Sequence, residues 1–381
     1  MEIKNLKKAA QRILKAVKKQ EKIIIYGDTD LDGVTAVIIL EETLKSLGAN
    51  IAAIYFPDRD LNGYGINKTG LKFLKKYSPA LLISLDFGVS NYDEVNLANK
   101  MGFKVVIVDH HEVLGKIPKA EVVVDPKQKG DKYPFKGLSA AGVVFKLSEL
   151  LFEGKMAEAL KNNFLELTAL STIADMMPRE SENLFFIEEG LASLKKSFRP
   201  AIKVFFEGDY FKDSPDFTQR VFKLISVLNV RDVKNVLPAS FRLLTVSSYE
   251  EAKNIIDDFL AKHKIKREEI ERTVEEIERR AEKKKEPIIF EGESFFDSAL
   301  LSPTASIVCQ KYKKPAFLFR KMAKESQGTI RTPKGVNSLV LLKKCSKHLL
   351  SFGGHAQASG FRVYNKNLDK LKECLIKNFK K

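Results

Sequence analysis

The stretch Ile23-Ile24-Ile25-Tyr26-Gly27-Asp28-Thr29-Asp30-Leu31-Asp32-Gly33 decides the fold. Four apolar, mostly β-branched residues read as a short buried strand. Three carboxylates follow within five residues, and a helical pattern then begins. Outward from this point the same kind of run recurs at Ile51–Phe56, Leu81–Leu85, Val105–Val108 and Val122–Val124. Amphipathic segments near 33–47, 67–77 and 91–101 separate the runs. This βαβ rhythm predicts an α/β fold, a parallel sheet with helices on both faces. In such sheets the ligand site lies beyond the carboxyl ends of the strands, so acids at strand ends carry meaning.

Residues 1–22 place Leu6, Ala10, Ile13, Leu14 and Val17 at helical spacing among lysines. They read as a first amphipathic helix rather than a signal peptide. Residues 138–262 read mostly as helix, with loops near Gly208–Pro215 and Asn229–Pro238. Residues 265–286 read as one charged helix with a thin stripe of Ile265, Ile270, Val274 and Ile277, the kind that bridges domains. Lys283–Lys285 and Pro287 end it. A second, smaller α/β unit fills 287–381. The expected domains are 1–262 (with a helical region at 147–262), a connecting helix at 263–286, and 287–381.

The 381 residues suit two to three domains by the usual size prior. No apolar run approaches the roughly 18 residues of a membrane span, so no membrane partner is expected. Three widely spaced cysteines, Cys309, Cys345 and Cys374, exclude a disulfide framework and a cysteine zinc site, and fit a reducing cytoplasm. The net charge of +16 points to a polyanionic partner. Of the 65 cations, 51 are Lys, and Lys-rich surfaces are also a thermophile habit.

Asp28, Asp30 and Asp32 at one strand end repel one another, and a cation is the natural compensation. A helix N-cap explains one aspartate, not three. Calcium of the EF-hand kind is excluded, because loop position 12 counted from Asp28 is the apolar Ile39. The third run ends in Asp86-Phe87-Gly88 and the fourth in Asp109-His110-His111, which holds two of the chain's five histidines. Carboxylates with one imidazole suit Mn²⁺ or Mg²⁺ better than zinc. His263 and His348 lack acidic or glycine-rich company and read as surface or structural.

These residues resemble the DHH phosphoesterase superfamily, whose name is the triplet at 109–111. The closer resemblance is to its RecJ-like exonuclease branch. Pro57 to Gly65, Val124-Asp125-Pro126, Tyr133-Pro134-Phe135, Leu138 to Lys146, Ala174 to Pro178 and Glu182-Asn183 fit that branch. Gly328 to Thr332 and Gly353 to Phe361 resemble the DHHA1 domain, so the likeness covers about 22–183 and 287–362.

The resemblance implies two divalent metal ions, manganese first and magnesium second. It implies as ligands Asp28, Asp30, Asp32, Asp86 (bridging), His110 and Asp175, with Asp109 supporting them and His111 near the scissile phosphate. Arg59, Tyr64, Arg331, Gly353, Gly354 and His355 would bind substrate. Physically, two such ions bind a phosphate oxygen, lower the pKa of a shared water and stabilise the leaving oxygen.

Three features depart from the branch. Ser298–Pro303 lacks the glycines usual there. Leu228-Asn229-Val230-Arg231-Asp232 stands in place of an Asn-Ala-Ala-Gly-Arg-like motif. The chain stops at Lys381, short of a C-terminal OB-type domain. This points to the compact archaeal group, some of whose members partner replication or repair proteins such as GINS or a repair helicase. The reading reached is a metal-dependent exonuclease on single-stranded DNA, with RNA as a further substrate, in replication or repair. A phosphodiesterase for short oligonucleotides or cyclic dinucleotides is the alternative. A scaffold of a replication complex that has lost its metals is the third reading.

Overall fold

The computed structural model describes residues 2–59, 63–208, 210, 216–229, 233–234, 237–281 and 286–379, with the backbone alone at 233, 234 and 263. The chain divides into two compact units, Met1–Leu260 and Ala261–Lys381.

The first unit is built on five strands: β1 (Ile23–Gly27), β2 (Ile51–Tyr55), β3 (Ala80–Leu85), β4 (Phe103–Val108) and β5 (Val122–Val124). They lie in the order β2-β1-β3-β4-β5, and every pairing is parallel. The alternation of side chains along β1 loads both faces. Ile23 and Ile25 join one apolar cluster with α1 (Leu6–Lys18), α2 (Leu31–Ser46) and the helical region. Ile24 and Tyr26 join a second cluster with α3 (Lys68–Leu74) and α4 (Tyr92–Lys100). Burial on both faces is why these strands are near-continuous hydrophobic runs.

Two helices frame the site: α5 (Ala140–Leu151) and α6 (Glu158–Ala174). Ser139 caps α5, its side chain accepting from the Gly142 amide at 3.1 Å. Beyond them, Arg199 is buried and donates to Glu42 Oε1 at 2.8 Å and to the Leu244 carbonyl at 2.8 Å, anchoring Pro200–Glu207 to α2.

The charged helix begins earlier than its sequence suggests, spanning Tyr249–Ala281. Ala252, Ile256 and Phe259 continue its apolar stripe and pack in the first unit's core. Ile277 belongs to a cluster with Leu301 and Val308 in the second unit. Within 265–286, residues 282–285 lie outside the described residues.

The second unit is a five-stranded mixed sheet. Its order is Ser351–Gly354, Ala358–Tyr364, Glu325–Arg331, Ala316–Lys321, Ile289–Glu293. Only the last pairing is parallel. The cysteine expectation needs correction, since Cys345 and Cys374 form a disulfide with Cα atoms 5.9 Å apart. They are 29 residues apart in sequence, and the fold brings the end of Ser338–Lys344 against Leu368–Phe379. Cys309 is free and buried. Among the described residues, no helix is long and apolar enough to cross a membrane.

Candidate metal centre

The acids gather where a parallel sheet ends. Asp28 follows β1, Asp86 follows β3, Asp109 follows β4 and Asp125 follows β5. Asp28, Asp32, Asp86 and Asp109 are buried. Two backbone positions show why the local sequence must be what it is. A Cβ on Gly33 would lie 2.6 Å from the Asp28 carbonyl oxygen, so only glycine lets α2 start this close to β1. Asp86 itself adopts φ of 66°, a left-handed conformation uncommon for a non-glycine residue, though aspartate tolerates it better than most.

The first cluster has unequal members. Asp30 caps α2, accepting from the Gly33 amide at 3.0 Å. Arg59 binds both Asp28 and Asp30, its Nε 2.5 Å from Asp28 Oδ1 and its Nη2 2.8 Å from Asp30 Oδ2. Burial alone would raise the Asp30 carboxyl, but Arg59 wins and it falls to about 2. Asp28 goes the other way, because its burial outweighs the same arginine. Asp32 accepts from the amides of Ala140 and Ala141, both at 2.8 Å, and from the Ser171 hydroxyl at 2.5 Å. It thus sits on the N-terminus of α5, where the helix dipole favours an anion. Burial still pushes its carboxyl up to about 6.

His110 joins the acids. Its Nδ1 lies 2.9 Å from the Leu138 carbonyl, which can only accept, so Nδ1 carries the hydrogen. Nε2 therefore faces Asp86 Oδ1 at 3.1 Å, Asp32 Oδ2 at 3.5 Å and Asp175 Oδ2 at 3.7 Å. Asp175 is the C-cap of α6, its amide donating to the Ser171 carbonyl at 2.9 Å. Burial and the neighbouring carboxylates drive Asp86 and Asp175 well above the usual range.

His111 is set apart. Asp109 accepts from the amides of Val89 at 3.0 Å, His110 at 2.7 Å and His111 at 3.2 Å, and from His111 Nδ1 at 2.8 Å. Burial would lower the imidazole, but the ion pair with Asp109 prevails and raises it to about 9. The Asp109 carboxyl is held below its usual range by the same pair, against its burial. Tyr64 Oη donates to the Asp86 carbonyl at 3.0 Å and lies 3.2 Å from His111 Nε2.

The donor set fits a hard divalent cation. Ligand atoms of Asp28, Asp30 and Asp86 lie within 4.8 Å of one another, as do those of Asp32, His110 and Asp175. Asp86 Oδ1 is buried and accepts no hydrogen bond among the described residues. Carboxylate oxygens with one imidazole are the donors of Mn²⁺ and Mg²⁺. Without a cation, burial at this density keeps protons on several of these acids.

Arg331, Gly353, Gly354 and His355 lie in the second unit. Arg331 donates to Ser302 Oγ at 3.0 Å, Ser306 Oγ at 3.2 Å and Thr329 Oγ1 at 3.1 Å. It pairs opposite Ala358, and Gly354 pairs opposite Ser359, so both flank one end of the same strand. Gly354 has φ of 123°, and a Cβ there would meet the Ala358 carbonyl oxygen at 2.6 Å. Ser302 holds the arginine from the stretch that lacks glycines. Asn229 is the C-cap of Phe217–Leu228, whereas Arg231 lies outside the described residues, as do residues 60–62 between Arg59 and Tyr64.

The sequence assigns no role to Ser171, to the Ala140 and Ala141 amides, or to the Leu138 carbonyl. Asp125 also had no assigned role, yet its place after β5 repeats the strand-end signal. Its burial lifts its carboxyl to about 8, and its Oδ1 accepts from the Lys127 amide at 2.7 Å.

Residues 22–172 match the family model "DHH family, N-terminal domain". The single-stranded-DNA-specific exonuclease RecJ of Bacillus subtilis is 31% identical over 98% of this chain, which spans 48% of that protein. The chain therefore spans about half the length of this relative. A crystal structure of exonuclease RecJ bound to manganese superimposes with TM-score 0.78 at 23% identity, covering 99% of this chain and 95% of that one. RecJ of Thermus thermophilus in complex with Mn²⁺ superimposes with TM-score 0.83 at 22% identity, over 99% of this chain and 55% of the other. These likenesses show a common fold. Residues 22–172 are a DHH family N-terminal domain, carried in a chain that is similar along its whole length to RecJ.

Proposed function

We propose that this chain is a divalent-metal-dependent hydrolase that removes nucleotides from an end of single-stranded DNA. The observation that carries it is His110, fixed through Nδ1 on Leu138 so that Nε2 faces Asp32, Asp86 and Asp175. The relatives named as single-strand-specific exonucleases support the substrate class. Asp28, Asp30, Asp32, Asp86, His110 and Asp175 would hold two ions, manganese ahead of magnesium. When bound, such ions activate a water and neutralise the phosphodiester.

The chain's own residues do the rest. Ser171 and the amides of Ala140 and Ala141 fix the Asp32 carboxylate. Asp109 fixes the His111 ring and keeps it protonated, and His111 would stabilise developing negative charge or give a proton to the leaving oxygen. Tyr64 and Arg59 would hold the phosphate neighbouring the scissile bond. Residues 287–381 would form a DHHA1-type substrate-binding domain, using Arg331, Gly353, Gly354 and His355, joined through 263–286 to a catalytic domain over 1–262. RNA as a further substrate, a cytoplasmic role in replication or repair, and a partner such as GINS or a repair helicase belong to the same proposal.

The test is cleavage of single-stranded DNA and RNA labelled at the 5′ or the 3′ end, with manganese, and with Asp109→Ala as control. Mononucleotide released first from one labelled end, and lost in the variant, is the expected result. Turnover of dinucleotides alone would replace this reading with the small-substrate one.

A further inference from the structure

Arg59 sits where a cation belongs. Its guanidinium donates to Asp28 through Nε and to Asp30 through Nη2, and Nη2 also makes an ion-pair contact with Asp28. Asp28 and Asp30, with Asp86, offer ligand atoms within 4.8 Å of one another. A divalent cation needs carboxylate oxygens at about 2.0–2.6 Å. An ion at that distance from the oxygens would bring its charge close to guanidinium nitrogens that stand 2.5 and 2.8 Å from them, so two positive charges would compete for the same carboxylates. Arginine and ion compete for Asp28 and Asp30 in this arrangement.

We infer that Arg59 is an exchangeable counter-charge. It neutralises Asp28 and Asp30 in the metal-free protein and is displaced when the ion binds. The inference rests on the metal reading above and adds to it a competition built into the chain. The side chain has room to leave, being 26% exposed. Its guanidinium carbon also lies 5.2 Å from the centroid of the Tyr64 ring, a face that can keep hold of it after displacement. Reciprocity follows from linkage: whatever draws Arg59 off Asp28 and Asp30 tightens metal binding by the same factor by which the metal weakens the arginine's hold.

The experiment uses the full chain with Arg59→Gln and Arg59→Lys, titrated with manganese alone in a calorimeter and melted in excess chelator. Charged hydrogen bonds of this kind correspond to roughly a tenfold factor each. Arg59→Gln should therefore bind manganese at least about tenfold more tightly than wild type. It should also melt at a lower temperature in chelator, and saturating manganese should close that gap. Arg59→Lys keeps the charge without the fork, so its affinity should fall between the two. Equal or weaker manganese binding by Arg59→Gln, or an unchanged melting temperature in chelator, overturns the displacement while leaving the metal site standing. Failure of wild type to bind manganese overturns the metal reading and the displacement with it.

Discussion

Replacing Asp109 by Asn should drop the titration of His111 and remove a pH-dependent part of the stability. The substitution is nearly isosteric and keeps one oxygen for the His110 and His111 amides, while its NH2 then faces the Val89 amide and loses that hydrogen bond at every pH. The pH-dependent part of its effect is loss of the charge that sits 2.8 Å from His111 Nδ1. With that charge, His111 stands at about 9 against an ordinary 6.5. The difference corresponds to roughly 3 kcal/mol of differential interaction. The sign is fixed by linkage. A group raised on folding contributes fully below its unfolded pKa and loses that contribution as pH rises through its folded one. Asp109, held below its ordinary 3.8, adds nothing at acid pH, so the pair stabilises most between about pH 4 and 6.5. In metal-free protein, the His111 ring protons followed by NMR should titrate near 9 in wild type and at or below 6.5 in Asp109→Asn. The difference in unfolding free energy should be about 3 kcal/mol larger at pH 6 than at pH 10, with the fall lying between pH 6.5 and 9. A His111 that still titrates near 9 in the variant, or a stability difference that is flat from pH 5 to 10, would refute the reasoning.

Other outcomes follow from the same geometry. Metal-free wild type should lose stability as pH rises from 5 to 9, because Asp32 (about 6), Asp125 (about 8) and His111 (about 9) are all raised on folding; thermal unfolding in chelator across that range checks it. Gly33→Ala should cost several kcal/mol or prevent folding, since its Cβ meets the Asp28 backbone; expression yield and melting temperature report this. Reducing the Cys345–Cys374 disulfide, or Cys345→Ser, should cost about 3.6 kcal/mol for a closed loop of this length, read by chemical unfolding with and without reductant. Ser171→Ala should weaken manganese binding by several fold while leaving the fold intact, because it frees one oxygen of Asp32 from its clamp; calorimetry decides.

The sheet was readable because burial on both faces writes itself as short apolar runs, and the acids stood out by falling at their ends. The first aspartate cluster and the 109–111 triplet carried the site for the same reason. Other parts were silent. Nothing local marks the Ala140 amide or Ser171 as partners of Asp32, since they lie 108 and 139 residues away. The distinct orientations of His110 and His111 depend on Leu138 and Asp109, and only one of these is adjacent. The long helix runs back to Tyr249 because tertiary burial of Ile256 and Phe259 supplies what its charged surface hides. Cys345 and Cys374 gave no motif at all, because their pairing is set by where two helices pack.

The most direct test of the central claim compares wild type with Asp86→Asn for mononucleotide release from end-labelled single-stranded DNA across a manganese titration. Asp86 is buried at the strand end and faces His110 Nε2 at 3.1 Å. No release is expected in chelator, release should rise with manganese in wild type, and Asp86→Asn should lose about a hundredfold to a thousandfold, the scale of removing one strong electrostatic contact from a transition state. Cleavage that persists in chelator, or that survives in Asp86→Asn at the wild-type rate, would contradict that claim.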